Sequence, residues 1–179
     1  MIFVIDVEAD GPTPGIYSMI QIGAVALNSN GIQEKFGINL APITDNYLEA
    51  ALKAIHVSRD RSLTFPDAKK SMFAFDDFIN RYSLKPQYMG RPIFFSDNNG
   101  FDWQFINYYF WKFLNRNPFG FSSNNITNIY GGIHNKLRDG DWKKFRTTKH
   151  SHDALDDALG NSEALLTIAQ HYNINLDGV

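Results

Sequence analysis

Three apolar runs rich in β-branched residues fill residues 1–40, and the breaks between them leave few ways to pair them. Residues 2–7 form the first run and stop at the turn cluster Asp10-Gly11-Pro12-Thr13-Pro14-Gly15. Residues 19–27 and 32–40 form the next two, divided by Asn28-Ser29-Asn30-Gly31, whose Asn-Gly step suits a hairpin. The spacing predicts three consecutive strands, paired antiparallel.

Beyond Pro66 the period changes. Met72, Phe75, Ile79 and Tyr82 recur at helical spacing, and Pro86 is expected to end that helix. Residues 93–96 read as a short buried strand, 101–114 as a second helix and 126–130 as a fifth strand. A last helix is expected over 153–171, offering Leu155, Leu159, Leu165, Leu166 and Ala169 to the core. Strands first, then alternating helix and strand, predict an α/β fold: a mixed five-stranded sheet with three leading antiparallel strands and helices on both faces. With 179 residues, 44% hydrophobic and 15% aromatic, the chain can bury a core and is expected to be a single domain over residues 1–179.

The chemistry is concentrated in acids. Asp6-Val7-Glu8 places two carboxylates on one face of the first strand, because side chains two apart project the same way. Holding two like charges at the end of an apolar strand is costly unless a cation neutralises them. Asp102 opens the second helix and precedes Phe105 and Ile106 by three and four residues, so it shares their inward face; Asp97 is a nearby competitor. Near the C-terminus His152 stands five residues ahead of Asp157, which lets a base on a loop and an acid on a helix converge, with His150, Asp153 and Asp156 as alternatives by type. The absence of cysteine excludes disulfides, thiolate zinc sites and cysteine nucleophiles.

Taken in order, these segments resemble a known family. Asp6-Val7-Glu8-Ala9-Asp10-Gly11, continued by Ile20-Gln21-Ile22-Gly23-Ala24-Val25, resembles the first motif of the DEDD exonuclease superfamily. Asn99-Gly100-Phe101-Asp102 resembles the second, and His152 to Asp157 has the histidine-four-residues-aspartate spacing of the histidine-bearing DEDDh subclass. The opening looks most like the minimal RNase AS-like exoribonucleases, while RNase T, oligoribonuclease and proofreading domains are broader relatives. Asn98 and Asn99 depart from the pattern, since several relatives carry other residues there.

The resemblance implies an RNase H-like fold and 3′-5′ exonuclease activity releasing nucleoside 5′-monophosphates, with two Mg²⁺ or Mn²⁺ ions held by Asp6, Glu8, Asp102 and Asp157. His152 would be the general base. Single-stranded nucleic acid is the implied partner, RNA ahead of DNA, and an idle binding module is the alternative from another class. Ala9, Asp10, Gly11, Met19, Asn99 and Trp103 are expected near the terminal nucleotide. The net charge of −2 gives no bulk attraction to a polyanion, so contact must be local. Lys136, Arg138, Lys143, Lys144, Arg146 and Lys149, against Asp139 and Asp141, offer a basic stretch leading into His152, with Lys149 expected to meet phosphate. The aromatic helix 101–114 offers a surface for a homodimer. No segment reads as a secretory signal or a membrane span, which leads to the expectation of a cytoplasmic protein without membrane contact.

Overall fold

The computed structural model describes residues 1–83 and 90–177. Strands β1 (Ile2–Ala9), β2 (Met19–Asn28) and β3 (Gly31–Asn39) form the leading meander. Both of its pairings are antiparallel, with Ile5 opposite Ala24 and Ala24 opposite Phe36. Helices α1 (Glu49–Ala54), α2 (Arg59–Leu63) and α3 (Ala68–Ser83) follow. Next come β4 (Ile93–Ser96), α4 (Asn99–Leu114) and the two-residue β5 (Asn124–Asn125). The chain closes with α5 (Ile126–Ile133), a 3₁₀-helix (Gly140–Phe145) and α6 (Ala154–Tyr172). The sheet order is β3-β2-β1-β4-β5, with β4 parallel to β1 and β5 parallel to β4. This is the expected mixed sheet.

Strand alternation divides β1 between two cores. Phe3, Ile5, Val7 and Ala9 pack with Met72, Phe75, Phe105 and Phe110 from α3 and α4. Ile2 and Val4 face the other way, onto Ile126, Trp142, Leu165 and Ile168. Helices therefore cover both faces. Asp6 and Glu8 continue the even-numbered face, so the alternation that sorts the core also turns both acids toward α6.

The helix α6 lies close to the sheet because glycine lets it. A Cβ on Gly23 would sit 1.9 Å from the Ala154 carbonyl oxygen and 2.4 Å from the Leu155 nitrogen. The close approach also redistributes the buried stripe. Leu165 and Ala169 are buried as expected, but Leu155, Leu159 and Leu166 are half-buried, and Ala154, Ala158, Asn161 and Ala164 take the inner positions. A helix pressed this tightly leaves room for small side chains rather than leucines.

Two further expectations change. Residues 126–130 form a helix, not a strand: the Asn125 side chain accepts from the Asn128 N–H as an N-cap, and Ile126 and Tyr130 are buried one turn apart. The fifth strand shrinks to Asn124–Asn125. Helices α1 and α2 were not expected; Leu52, Ile55 and Val57 gather around Ile20 as a small satellite core. Pro86, expected to stop α3, lies outside the described residues. Of the aromatics of α4, Phe105, Tyr109 and Phe110 are buried, Phe101, Trp103, Tyr108 and Phe113 are half-buried against the same core, and Trp111 is exposed. Among the described residues no helix is long and apolar enough to cross a membrane.

Candidate active site

Asp6 and Glu8 occupy the last turns of the β1 pleat, and α6 brings Asp157 against them. One oxygen from each of Asp6, Glu8 and Asp157 lies within 4.8 Å of the other two. Asp157 sits in the first turn of α6, and Asp153 caps the helix by accepting from the Leu155 and Asp156 N–H groups. Asp6 and Glu8 line a cleft of about 410 Å³ that also includes Asp97, Asp102, Arg138, His150 and His152, and Asp157 is buried beside them.

Among the described residues no cationic side chain is paired with Asp6. The cleft leaves part of it open, yet desolvation pushes its carboxyl well above the usual carboxylate range, and Asp102, Glu8 and Asp157 add like-charge repulsion. Glu8 is pushed up to about 7 by desolvation first, then by Asp157 and Asp153. Burial likewise raises Asp102, with Asp97 and Glu8 adding to the shift, while the Ser96 hydroxyl and the Val7 N–H oppose it.

Asp102 is 1% exposed and behind the strand: its Oδ1 accepts from the Val7 N–H at 3.1 Å, and its Oδ2 is buried without meeting hydrogen-bond geometry. Asp97 also lines the cleft, but its Oδ2 pairs with Lys143 at 2.8 Å. Neither joins the tight group of three. A set of carboxylates with raised proton affinity, plus an orphaned buried oxygen, fits hard divalent cations such as Mg²⁺ or Mn²⁺, which prefer oxygen ligands.

The loop before α6 brings two histidines. His152 holds a left-handed backbone (φ +57°), its N–H donates to Asp157 Oδ2 at 3.2 Å, and its half-exposed ring lies 3.9 Å from Glu8 Oε1 through Nδ1. His150 Nδ1 is 2.7 Å from Asp157 Oδ2, with the two rings 4.3 Å apart. His152 is thus the histidine beside Glu8, and His150 the one beside Asp157.

The residues expected around the nucleotide scatter. Ala9 and Met19 are buried in the α3–α4 core, and the Met19 N–H donates to Tyr109 Oη. Asp10 is fully buried, held by the Ser18 N–H and by Arg59 at 3.1 Å. A Cβ on Gly11 would overlap the Tyr17 ring, so Gly11 packs on an aromatic. Asn99 ties down the β5 approach through Asn124 O and Ser123, and Trp103 packs edge-on against Phe94. Lys149 is exposed.

The basic stretch is more committed than a solvated face. Arg146 pairs with Asp157, Lys136 with Asp139 and Lys143 with Asp97, while Arg138 lines the cleft. Sequence reasoning singled out this stretch by charge but not the pairing of Arg146 with Asp157. A buried acid with a basic residue eleven positions before it on a loop carries no periodic signal.

A mixed five-stranded sheet with this acidic cleft beside a loop histidine defines a 3′-5′ exonuclease of the DEDD superfamily. The RNase T exonuclease family model matches residues 3–165, and the chain belongs to that family. It is 34% identical over 175 residues, covering 90% of this chain and 88% of the relative, to the Escherichia coli 3′-5′ DNA exonuclease Cap18. Among solved structures it is similar to the nuclease domain of 3′hExo, a DEDDh family member bound to rAMP, with TM-score 0.74, 19% identity, and 95% and 92% of the two chains covered. The Escherichia coli ExoI–ssDNA complex aligns with TM-score 0.74 and 13% identity over 97% of this chain, which spans only 41% of ExoI.

Proposed function

We propose that the chain removes nucleoside 5′-monophosphates one at a time from the 3′ end of single-stranded nucleic acid, with DNA as its first substrate. The observation that carries the reading is the meeting of Asp6, Glu8 and Asp157 oxygens within 4.8 Å at the end of β1, beside His152. Asp6, Glu8 and Asp157 would hold two Mg²⁺ or Mn²⁺ ions, with Asp102 supporting them from behind β1 through its buried Oδ2. Bound there, the ions supply positive charge to the oxygens of an in-line displacement and make water a better nucleophile at neutral pH.

His152 takes the proton from the attacking water, a task suited to an imidazole whose unperturbed pKa is about 6.5. Its partly open position beside Glu8 supports that role, since the base must reach water that the acids also orient. Arg138 and Lys143 line the same cleft and would meet phosphate oxygens, Lys143 by exchanging Asp97 for the polyanion. Lys149, exposed just before the histidines, would extend this contact.

The relative at 34% identity, named for DNA, supports DNA. The opening motif's likeness to minimal exoribonucleases favours RNA as the second reading. The test incubates 5′-labelled single-stranded DNA and matched RNA with Mg²⁺ or Mn²⁺. A ladder shortening from the 3′ end, lost with chelator and in Asp6→Asn, is expected, faster on DNA. Internal cuts or metal-independent cleavage would end the exonuclease proposal, and faster RNA shortening would reverse the substrate.

A further inference from the structure

Asp157 is the most engaged of the three clustered acids, and its partners all come from one loop. Oδ1 accepts from Arg146 Nη2 at 2.8 Å and from the Ser151 N–H at 3.2 Å; Oδ2 accepts from the His152 N–H at 3.2 Å and faces His150 at 2.7 Å. The Arg146 side chain is 8% exposed, and its Nε is buried without a hydrogen-bond partner. Burying a guanidinium is costly, and among the described residues Asp157 is the acid that pairs with it.

The room for that arginine is built in. A Cβ on Gly160 would lie 2.5 Å from Arg146 Nε and 2.6 Å from the Thr148 carbonyl oxygen. One turn further along α6, Glu163 accepts the Thr147 and Thr148 N–H groups at 2.8 and 2.7 Å and the Thr148 hydroxyl at 3.0 Å. The loop that ends in His152 is thus pinned to α6 at two separate points, one at Asp157 of the three-acid cluster and one at Glu163, which is not part of it.

We propose that Arg146 is a positioning residue: it fixes the Asp157 carboxylate through Oδ1, leaving Oδ2 on the side of His150 and His152, and it joins that acid of the cluster to the arm carrying His152. The inference rests on the metal-dependent reading above. Glu163 serves only the arm. Losing Arg146 therefore weakens cation binding and turnover together, whereas losing Glu163 slows turnover alone. Groups that orient a metal ligand from behind typically change metal affinity or activity about 10- to 100-fold.

The experiment measures Mn²⁺ binding to the full chain by electron paramagnetic resonance, beside kcat and KM on a 3′-labelled oligonucleotide, for wild type, Arg146→Gln, Arg146→Lys and Glu163→Ala. Arg146→Gln should raise the Mn²⁺ half-saturation about tenfold and lower kcat about 10- to 100-fold with KM nearly unchanged. Arg146→Lys should recover part of both, because an ammonium keeps the charge but loses the planar fork. Glu163→Ala should lower kcat with Mn²⁺ binding unchanged. Wild-type Mn²⁺ binding in Arg146→Gln, or equal weakening in Glu163→Ala, overturns the assignment. If Arg146→Gln does not fold, Arg146→Lys decides, and wild-type binding there overturns it. Wild-type protein that binds Mn²⁺ but cuts nothing sinks the nuclease reading while leaving the binding comparison intact.

Discussion

Two buried aspartates, each paired with an arginine, sit at opposite sides of the same strand end. Asp10 lies in the turn after β1, held by Arg59 and the Ser18 N–H; Asp157 lies at the start of α6, held by Arg146 and the Ser151 and His152 N–H groups. The local chemistry is nearly the same. The surroundings differ, because Asp157 is within reach of Asp6 and Glu8, whereas Asp10 is absent from that group. An arginine-held aspartate beside two further acids joins the proposed cation site. The same arrangement beside a turn is a fastener.

Substitutions can break that contrast. The largest effect is expected for Asp6→Asn, which removes the central acid of the cluster: cleavage should fall below detection in the labelled-strand assay, while Arg59→Ala keeps a near-wild-type kcat. His152→Ala comes next, with kcat lower by roughly 10²- to 10⁴-fold and a thermal midpoint close to wild type by calorimetry. For Arg59→Ala the loss should appear in stability, by about 2–3 kcal/mol in urea unfolding, because Asp10 is left buried without its partner. A lowered kcat at unchanged stability would instead make the turn part of the site.

A smaller effect concerns pH. Glu8 is pushed up to about 7 from an ordinary 4.5, and Asp6 and Asp102 are raised as well, so the metal-free folded protein binds more protons than the unfolded chain. The contribution of these three carboxyls to stability is therefore present in acid and declines as pH rises through that window. Thermal midpoints should fall by a few degrees from pH 5 to pH 8 without metal, and Mg²⁺ should raise the midpoint more at pH 8. A metal-free midpoint that climbs with pH would show that the acids are already neutralised within the protein.

Much of this was legible in the residues. Period-two runs and the Asn-Gly break marked β1 to β3, and residues 93–96 matched β4 to the residue. Asp6 and Glu8 could be paired because strand alternation is a local rule. What escaped depended on neighbours distant in sequence. The run after Asn125 is apolar enough for a strand, and its capping side chain tips it to helix. Leu155 and Leu159 looked like core because sequence does not reveal how near a sheet a helix will lie. Met19 and Asp10 sit beside a catalytic motif in the chain, but β-sheet pairing and Arg59 draw their side chains away from the cleft. Arg146 was one charge among six until folding selected it.

The glycine at position 23 carries a last consequence. With no side chain, it sets how far the first turn of α6 stands off the sheet, and with it the span between an acid on a helix and two on a strand. The two jaws of this caliper are adjusted by a residue that belongs to neither of them. A single methyl at that point would register in an assay as a catalytic defect, even though every acid and both histidines were still in place.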